Sequence, residues 1–134
     1  MKQVADAIAA YFNAPNTFNT AIGGRMYFEQ APMNASYPYA VFFLITNIVD
    51  YTFKEESQDL TVQFSIFDAG DGLKSPATLY DAQNKLWALF DFAPLSVTGY
   101  STTIMKRQGT RNGRDPELNS MFSHTDYQVR IQKQ

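Results

Sequence analysis

The chain has 134 residues, of which 45% are hydrophobic and 18% are charged, as expected for one globular domain. It contains no cysteine and a single histidine, His124, which excludes disulfides, thiolate metal sites and multi-histidine metal centres. The formal net charge of −2 gives no general attraction to nucleic acid or to anionic membranes. We therefore treat residues 1–134 as a single domain that folds without a covalent or metal cross-link.

Aromatic residues are unusually abundant, since 11 Phe, 8 Tyr and 1 Trp make up 15% of the chain. Such side chains serve protein cores and protein interfaces alike, because each ring buries a large area at a small entropic cost. A ligand-binding aromatic pocket is the alternative use. The composition favours a domain with contact surfaces to bury.

No segment has the pattern of an export signal or of a membrane anchor. The longest uninterrupted apolar run, residues 39–45, is far shorter than the roughly 20 residues that a membrane-spanning helix requires. Asp6 interrupts what would be the apolar core of a signal peptide. We therefore expect the protein to stay in the cytoplasm in which it is made, with no membrane partner.

The first third of the chain predicts a helix, a short strand and a long strand. Apolar residues recur at helical spacing over residues 4–12, and Pro15 ends this helix. A short strand is expected at residues 25–28. The β-branched and aromatic run of residues 39–48 predicts a strand that is buried on both faces.

The middle of the chain predicts the second arm of a hairpin and a second helix. Residues 50–57 are rich in charge and predict a solvated turn between the hairpin arms. Apolar and polar side chains then alternate over residues 60–66, which predicts a strand with one face in solvent. After an Asp- and Gly-rich turn at residues 68–72, Ser75 and Pro76 begin a helix that continues to residue 90.

The last third predicts two further strands, at residues 95–105 and 121–131. A polar connection at residues 108–119 joins them, with Asn112-Gly113 as its turn. This order of elements predicts an α+β fold. We expect a twisted antiparallel β-sheet of about four to five strands, with two α-helices packed on one face.

The sequence contains no motif that supplies a nucleophile together with its base, so we expect no enzymatic activity and no cofactor. The Asp- and Gly-rich turn lacks the remaining ligands of a calcium loop, and no metal is expected. We interpret His124 as a structural residue. A hydrolase with a pair of carboxylates stays an alternative, because distances between acidic side chains cannot be read from one sequence.

The candidate partner-binding residues form one cluster of charge. Four of the 11 cations lie close together in the chain: Lys106, Arg107, Arg111 and Arg114. They fall in the predicted connection between the last two strands. Two interpretations are open: a solvated hairpin tip partly neutralised by Asp115 and Glu117, or a contact loop for an acidic partner or nucleic acid.

A succession of short motifs extends along nearly the whole chain. Its parts are Ile22-Gly23-Gly24-Arg25-Met26-Tyr27, Ala31-Pro32, Tyr37-Pro38-Tyr39-Ala40-Val41-Phe42, the strand at residues 60–67, the second helix, and the closing Asp126-Tyr127-Gln128-Val129-Arg130-Ile131. This succession resembles the tail completion proteins of long-tailed bacteriophages, also called tail terminator or tail-to-head joining proteins. The spacing from Gly-Arg-Met-Tyr through Ala-Pro to Pro-Tyr is its most specific part.

The resemblance implies a structural protein of the virion, placed in the tail or neck and assembled in the host cytoplasm. Proteins of this family form a ring, hexameric in the implied arrangement, that ends the tail tube and joins it to the head connector. The implied partners are further copies of the chain, the tail tube protein and the head–tail connector or adaptor protein. DNA would pass through the lumen without specific binding. The family supplies no catalytic residues.

Two other functions stay open at this point. The chain is also the size of a neighbouring neck or connector component of the same particle. A small-molecule or regulatory binding module that uses an aromatic surface is the alternative from a different class.

Overall fold

The computed structural model describes residues 2–51, 56–70 and 75–134, which form three helices and five strands. The elements in chain order are α1 (Lys2–Asn13), α2 (Thr17–Ala21), β1 (Met26–Phe28), β2 (Tyr39–Tyr51), β3 (Glu56–Ala69), α3 (Ala77–Phe90), β4 (Tyr100–Asp115) and β5 (Ser120–Lys133). The strands make one sheet in the order β1-β2-β3-β5-β4. The α+β prediction is confirmed.

The sheet is mixed, where a wholly antiparallel sheet was expected. β1 pairs with β2 in parallel, and the other three pairs are antiparallel. The long connection at residues 29–38 carries the chain back to the start of β2, whereas a tight turn would have made the pair antiparallel. The short helix α2 was also not predicted. It begins where the Asn16 side chain accepts a hydrogen bond of 2.7 Å from the backbone N–H of Asn19.

One face of the sheet, here called the helix face, packs against the helices to form the core. Apolar side chains of β2, β3, β4 and β5 meet those of α1 and α3 in one cluster of buried residues. At its centre the Phe64 ring stacks on Phe90 of α3, with ring centroids 4.6 Å apart. Tyr127 of β5 meets the same Phe64 edge-on at 5.6 Å. These rings join the central strand to the helix above it.

The expected solvent-exposed face of residues 60–66 is wrong for the middle of β3. Gln63 and Ser65 are buried, because each pairs with a polar side chain on the adjacent β5. The Gln63 amide donates a hydrogen bond of 3.0 Å to Asp126, and the Ser65 hydroxyl lies 2.7 Å from Nδ1 of His124. Cross-strand pairing thus removes these polar groups from water.

The prediction that residues 39–48 are buried on both faces of the sheet is confirmed at the start of β2 and is wrong at Ile45. Val41 and Phe42, which point to opposite faces, are both buried, whereas Ile45 is 45% exposed. The side chains of residues 46–48 lie outside the described part of the chain. Of the predicted turn at residues 50–57, residues 50–51 belong to β2 and residues 56–57 to β3, and residues 52–55 lie outside the described part of the chain. Of the predicted turn at residues 68–72, residues 68–69 belong to β3, and residues 71–74 lie outside that part. Strand pairing therefore extends into both segments that the sequence predicts as turns.

The predicted connection at residues 108–119 is wrong in most of its length. β4 continues to Asp115 and pairs with β5 throughout, so the Asn112-Gly113 pair lies within a strand. The turn occupies residues 116–119, where the Asp115 carboxylate accepts hydrogen bonds from two backbone N–H groups. Ladder pairing with a long neighbouring strand overrides the local preference of this polar segment for a turn.

The start of this strand also differs from the prediction. Residues 95–99 are not in the sheet, and β4 begins at Tyr100 opposite Lys133. β5 ends at that point, so the earlier residues have no neighbouring strand with which to pair.

The motif Gly23-Gly24-Arg25 forms a turn before β1. Both glycines have positive φ, 61° and 73°, which favours glycine over any other residue. The turn directs the Arg25 guanidinium to the backbone carbonyls of Pro38 and Tyr37, at 3.1 and 3.3 Å. Two separate motifs of the sequence are therefore one structural unit at the start of β2.

Replacing Phe64 by Ala removes the ring between α3 and β5. We expect Phe64→Ala to lower the free energy of unfolding by about 3–5 kcal/mol, because it leaves a cavity in the centre of the core. Leu118→Ala is the matched control, since Leu118 is 70% exposed and its loss should cost less than about 0.5 kcal/mol. Urea unfolding measures both, and equal effects would contradict the assignment of the core.

Candidate interaction surface

The face of the sheet opposite the helices, here called the open face, carries a continuous row of rings. Tyr37 and Tyr27 contact Tyr39 at centroid distances of 5.6 and 6.2 Å, and Tyr39 contacts Phe67 at 5.2 Å. Phe67 contacts His124 at 6.2 Å, and His124 stacks on Phe122 at 4.6 Å. We call these residues the aromatic row: Tyr27, Tyr37, Tyr39, Phe67, Phe122 and His124. All six are partly exposed or exposed.

The register of the sheet assembles this row from residues that are distant in sequence. Tyr39 is the direct partner of Phe67, and Phe67 is the direct partner of Phe122. Side chains of directly opposed residues project from the same face. Three aromatic residues from β2, β3 and β5 thus stand side by side on the open face.

The row ends on a glycine of β4. Gly113 is the direct partner of Phe122, and a Cβ atom on Gly113 would lie 2.7 Å from the tip of the Phe122 ring. The absence of a side chain therefore lets the ring lie flat across the neighbouring strand. Asn112-Gly113, interpreted from sequence as a turn, serves here as a site of close packing.

The imidazole in the row is held in its neutral form. Burial, and next the nearby Arg111 charge, lower the pKa of His124 below its usual 6.5, and Asp126 partly opposes this. At neutral pH His124 therefore acts as an uncharged ring that stacks on Phe122. In the same row, burial and the neighbouring Tyr37 and Tyr27 raise the pKa of Tyr39.

Two open depressions adjoin the aromatic row. One, of about 440 Å³, lies between residues 29–33 and the Tyr39 end of the row. The other, of about 490 Å³, is lined by Arg111, Asn112, Phe122 and His124. A small-molecule site typically encloses most of its ligand. Open depressions beside aromatic rings and an arginine are more typical of a surface that receives protein side chains.

The four candidate cations lie in β4, and the sheet divides them between its two faces. Lys106 and Arg111 are on the open face, opposite Gln128 and His124. Arg107 and Arg114 are on the helix face, opposite Tyr127 and Met121. The predicted loop with four neighbouring charges is therefore corrected to two pairs on opposite faces. That any of the four contacts a partner stays a prediction.

Arg107 and Arg114 have contacts within the chain. Arg107 lies over the Trp87 ring at 3.9 Å and its Nη2 is 3.4 Å from the Asp91 carboxylate. The other oxygen of Asp91 accepts a hydrogen bond of 2.6 Å from the Tyr127 hydroxyl. Burial and this bond raise the pKa of Tyr127 far above its usual range. Near the end of β4, the Arg114 guanidinium donates a hydrogen bond of 3.4 Å to the backbone carbonyl of Gly70. Through its contacts with Trp87 and Asp91, Arg107 joins the C-terminal end of α3 to the sheet.

The described residues contain no group of three or more acidic or histidine side chains placed to hold a metal ion. In the same part of the chain, no helix combines the length and the apolar character that crossing a membrane requires.

The fold is shared with a chain of a known particle. No protein-family model and no curated protein matches the sequence. The chain superimposes on a chain from the virion of a native gene transfer agent particle with a TM-score of 0.77. The sequence identity is 15%, and the match covers 96% of this chain and 97% of that chain. A second solved structure gives a TM-score of 0.47 at 14% identity. The likeness to the virion chain shows a common fold over nearly the full length of both.

Replacing Arg107 by Ala tests its assignment as a tie between α3 and the sheet. We expect Arg107→Ala to lower the free energy of unfolding by about 1–2 kcal/mol, because it removes the contact with Trp87 and the ion pair with Asp91. Lys106→Ala removes a neighbouring exposed cation and should change stability by less than about 0.5 kcal/mol. Thermal unfolding compares the two variants, and equal stabilities would contradict the assignment.

The lowered pKa of His124 predicts how stability depends on pH. The folded protein binds a proton at His124 less readily than the unfolded chain does. The stability that the neutral His124 ring contributes is therefore complete above a pH of about 6.5, and it is lost as the pH falls below that value. His124→Gln removes the contribution, and its unfolding free energy should therefore decline less between pH of about 7 and 5 than that of the unaltered protein. Urea unfolding across this range measures both, and identical slopes would contradict the prediction.

Proposed function

We propose that this chain is a structural protein of a phage-type virion. The observation that carries the proposal is the common fold with a chain of the gene transfer agent virion, which extends over 96% of this chain. The same match covers 97% of that chain. This common fold supports a structural role for this chain too, and its location would be the virion.

Within the virion, we infer the role of a tail terminator. The chain would form a hexameric ring at the head-proximal end of the tail, end the tail tube and join it to the head connector. The motif succession supports this finer proposal, because its most specific parts meet in space. Arg25 of the first motif binds the carbonyls of Tyr37 and Pro38 in the third. The resemblance thus rests on a local structure whose parts depend on one another.

The aromatic row supports contacts with other proteins. Interfaces are enriched in Tyr, Phe and Arg, which bury much area at a small entropic cost. The row joins five aromatic side chains and His124 on the open face, with Arg111 beside it. The proposed partners are further copies of the chain, the tail tube protein and the head–tail connector. DNA would pass through the ring without specific binding, and no catalytic step is proposed.

The position in the particle is the direct test. A short peptide tag added after Gln134, which is exposed, can be labelled with gold on assembled particles and imaged by negative stain. We expect one cluster of label at the junction of head and tail, since a single ring ends each tail. Particles carrying the untagged chain are the control. Label along the tail, at its tip or on the head would contradict the terminator role.

Purified tail tubes provide a second measurement. Mixed with the chain, the tubes should carry a ring at one end only, and the ring should have the mass of six copies. Binding along the whole tube, or a chain that touches no copy of itself on the tube, would contradict the proposal.

A further inference from the structure

A turn that carries a fully exposed methionine lies near one end of the aromatic row. The Ala35 backbone N–H donates a hydrogen bond of 3.1 Å to the Pro32 carbonyl, which closes a β-turn over residues 32–35. Met33 is the second residue of this turn and is fully exposed. The structure thus presents an apolar side chain to solvent on an ordered backbone. We call residues 32–35 the Met33 turn.

The segment around this turn concentrates exposed apolar side chains. Among the described residues, seven large hydrophobic residues are exposed, and three of them lie within residues 28–37: Phe28, Met33 and Tyr37. Single exposed hydrophobic residues are usual on protein surfaces, whereas a concentration of them points to an interaction site. The one charged residue of this segment is Glu29. The segment therefore combines an apolar tip with a negative charge.

The opposite end of the aromatic row has the complementary character. The depression of about 490 Å³ at this end is lined by Arg111, Asn112, Phe122 and His124, and we call it the His124 depression. Its two rings stack on each other at 4.6 Å. The thioether of methionine makes favourable contacts with aromatic rings. Rings for a methionine and a cation for Glu29 are thus present in one depression.

Within one copy, the Met33 turn does not fill the His124 depression. Met33 is fully exposed, and the two features lie toward opposite edges of the sheet. Residues 29–33 adjoin β2 and β3, where they line the other depression of the open face. The His124 depression lies on β5 and β4. An occupant that carries the Met33 turn must therefore come from a second copy of the chain.

The two features lie on the same face and at the same height along the strands. Direct strand partners form one line across the five strands: Tyr27, Val41, Ser65, His124 and Arg111. Val41 and Ser65 of this line border residues 29–33, whereas His124 and Arg111 line the His124 depression. A rotation about an axis parallel to the strands preserves height. It can therefore bring the turn of one copy to the depression of the next without a shift along the strands.

We propose that the Met33 turn of one copy of this chain docks in the His124 depression of the next copy, with Glu29 facing Arg111. The proposal rests on the ring that is proposed as the function, and it names a contact that builds the ring. The contact joins two unlike surfaces, and its repetition around an axis closes a ring. Opposite charges favour it over a contact between two turns, which brings two Glu29 side chains together.

Met33→Lys tests the apolar anchor. The change removes the thioether and places a cation beside Arg111, so we expect the fraction of tail tubes that carry a ring to fall at least about tenfold. The isolated variant should unfold at the same temperature as the unaltered chain, because Met33 is fully exposed. Phe92→Lys is the matched control. It makes the same change of charge at an exposed apolar residue outside the Met33 turn and the His124 depression, and ring formation should be unchanged.

Exchange of the two charges tests the placement of Glu29. Glu29→Lys and Arg111→Glu should each lower the fraction of ringed tubes by about fivefold or more, because each leaves two like charges facing one another. The double variant restores opposite charges, and it should form rings to within about twofold of the unaltered chain. A double variant that forms no more rings than either single variant would contradict the contact between these residues.

Cysteine cross-linking locates the contact, because the chain has no cysteine. Met33→Cys combined with Asn112→Cys, bound to tail tubes and treated with a short bismaleimide, should give a ladder of covalent oligomers up to the size of the ring. A mixture of the two single variants should give covalent dimers only. Each single variant alone should stay monomeric on denaturing gels, and so should Met33→Cys combined with Phe92→Cys.

The remaining outcomes separate this contact from its alternatives. Dimers formed by Met33→Cys alone would overturn the proposal in favour of a contact between two turns. Products of the double cysteine variant that stop at dimers would overturn it in favour of a closed pair of copies. Rings that give no cross-link and tolerate Met33→Lys would overturn the contact and leave the ring itself intact. Absence of rings from the unaltered chain would instead overturn the function on which the proposal rests.

Discussion

The structure depends on the attachment of α3 to the central strands of the sheet. Phe90 of this helix stacks on Phe64 of β3, and Tyr127 of β5 closes the same cluster edge-on. One residue further on, Asp91 accepts the Tyr127 hydroxyl bond and pairs with Arg107 of β4. The stacked rings and the Asp91 carboxylate thus lie side by side at the end of α3. This helix end therefore contacts three strands, β3, β5 and β4.

Because the helices cover only one face, the opposite face must be stabilised by pairs across the strands. Polar residues of β3 and β5 are buried by hydrogen bonds to each other, as for Gln63 with Asp126. At the other end of the same strands the pairs are aromatic, and they form a row that stays partly exposed. A two-layer domain with rings on its uncovered face retains apolar area for association. This is consistent with a part that works inside a larger assembly.

The two edges of the sheet differ in composition. The outer strand β4 contains four cations and two register shifts, and Phe92 donates a hydrogen bond to its Met105 carbonyl. These features oppose pairing of β4 with a further strand. At the other edge, β1 pairs only with residues 40–42 of β2, whose sequence from Phe43 to Tyr51 has Asp50 as its single charge.

The sequence by itself determined the elements whose patterns are local. Helical spacing located α1, the Ser75-Pro76 start located α3, and the apolar and polar patterns located β3 and β5. Tertiary structure decided what depends on neighbours. The polar residues after Arg107 form a strand because β5 lies beside them, and the bulge there sends Arg107 and Arg111 to opposite faces. The aromatic row joins residues from Tyr27 to His124, and only the register of four strands brings them together. No local pattern contains a register, because register is set by pairing between segments that are distant in the chain.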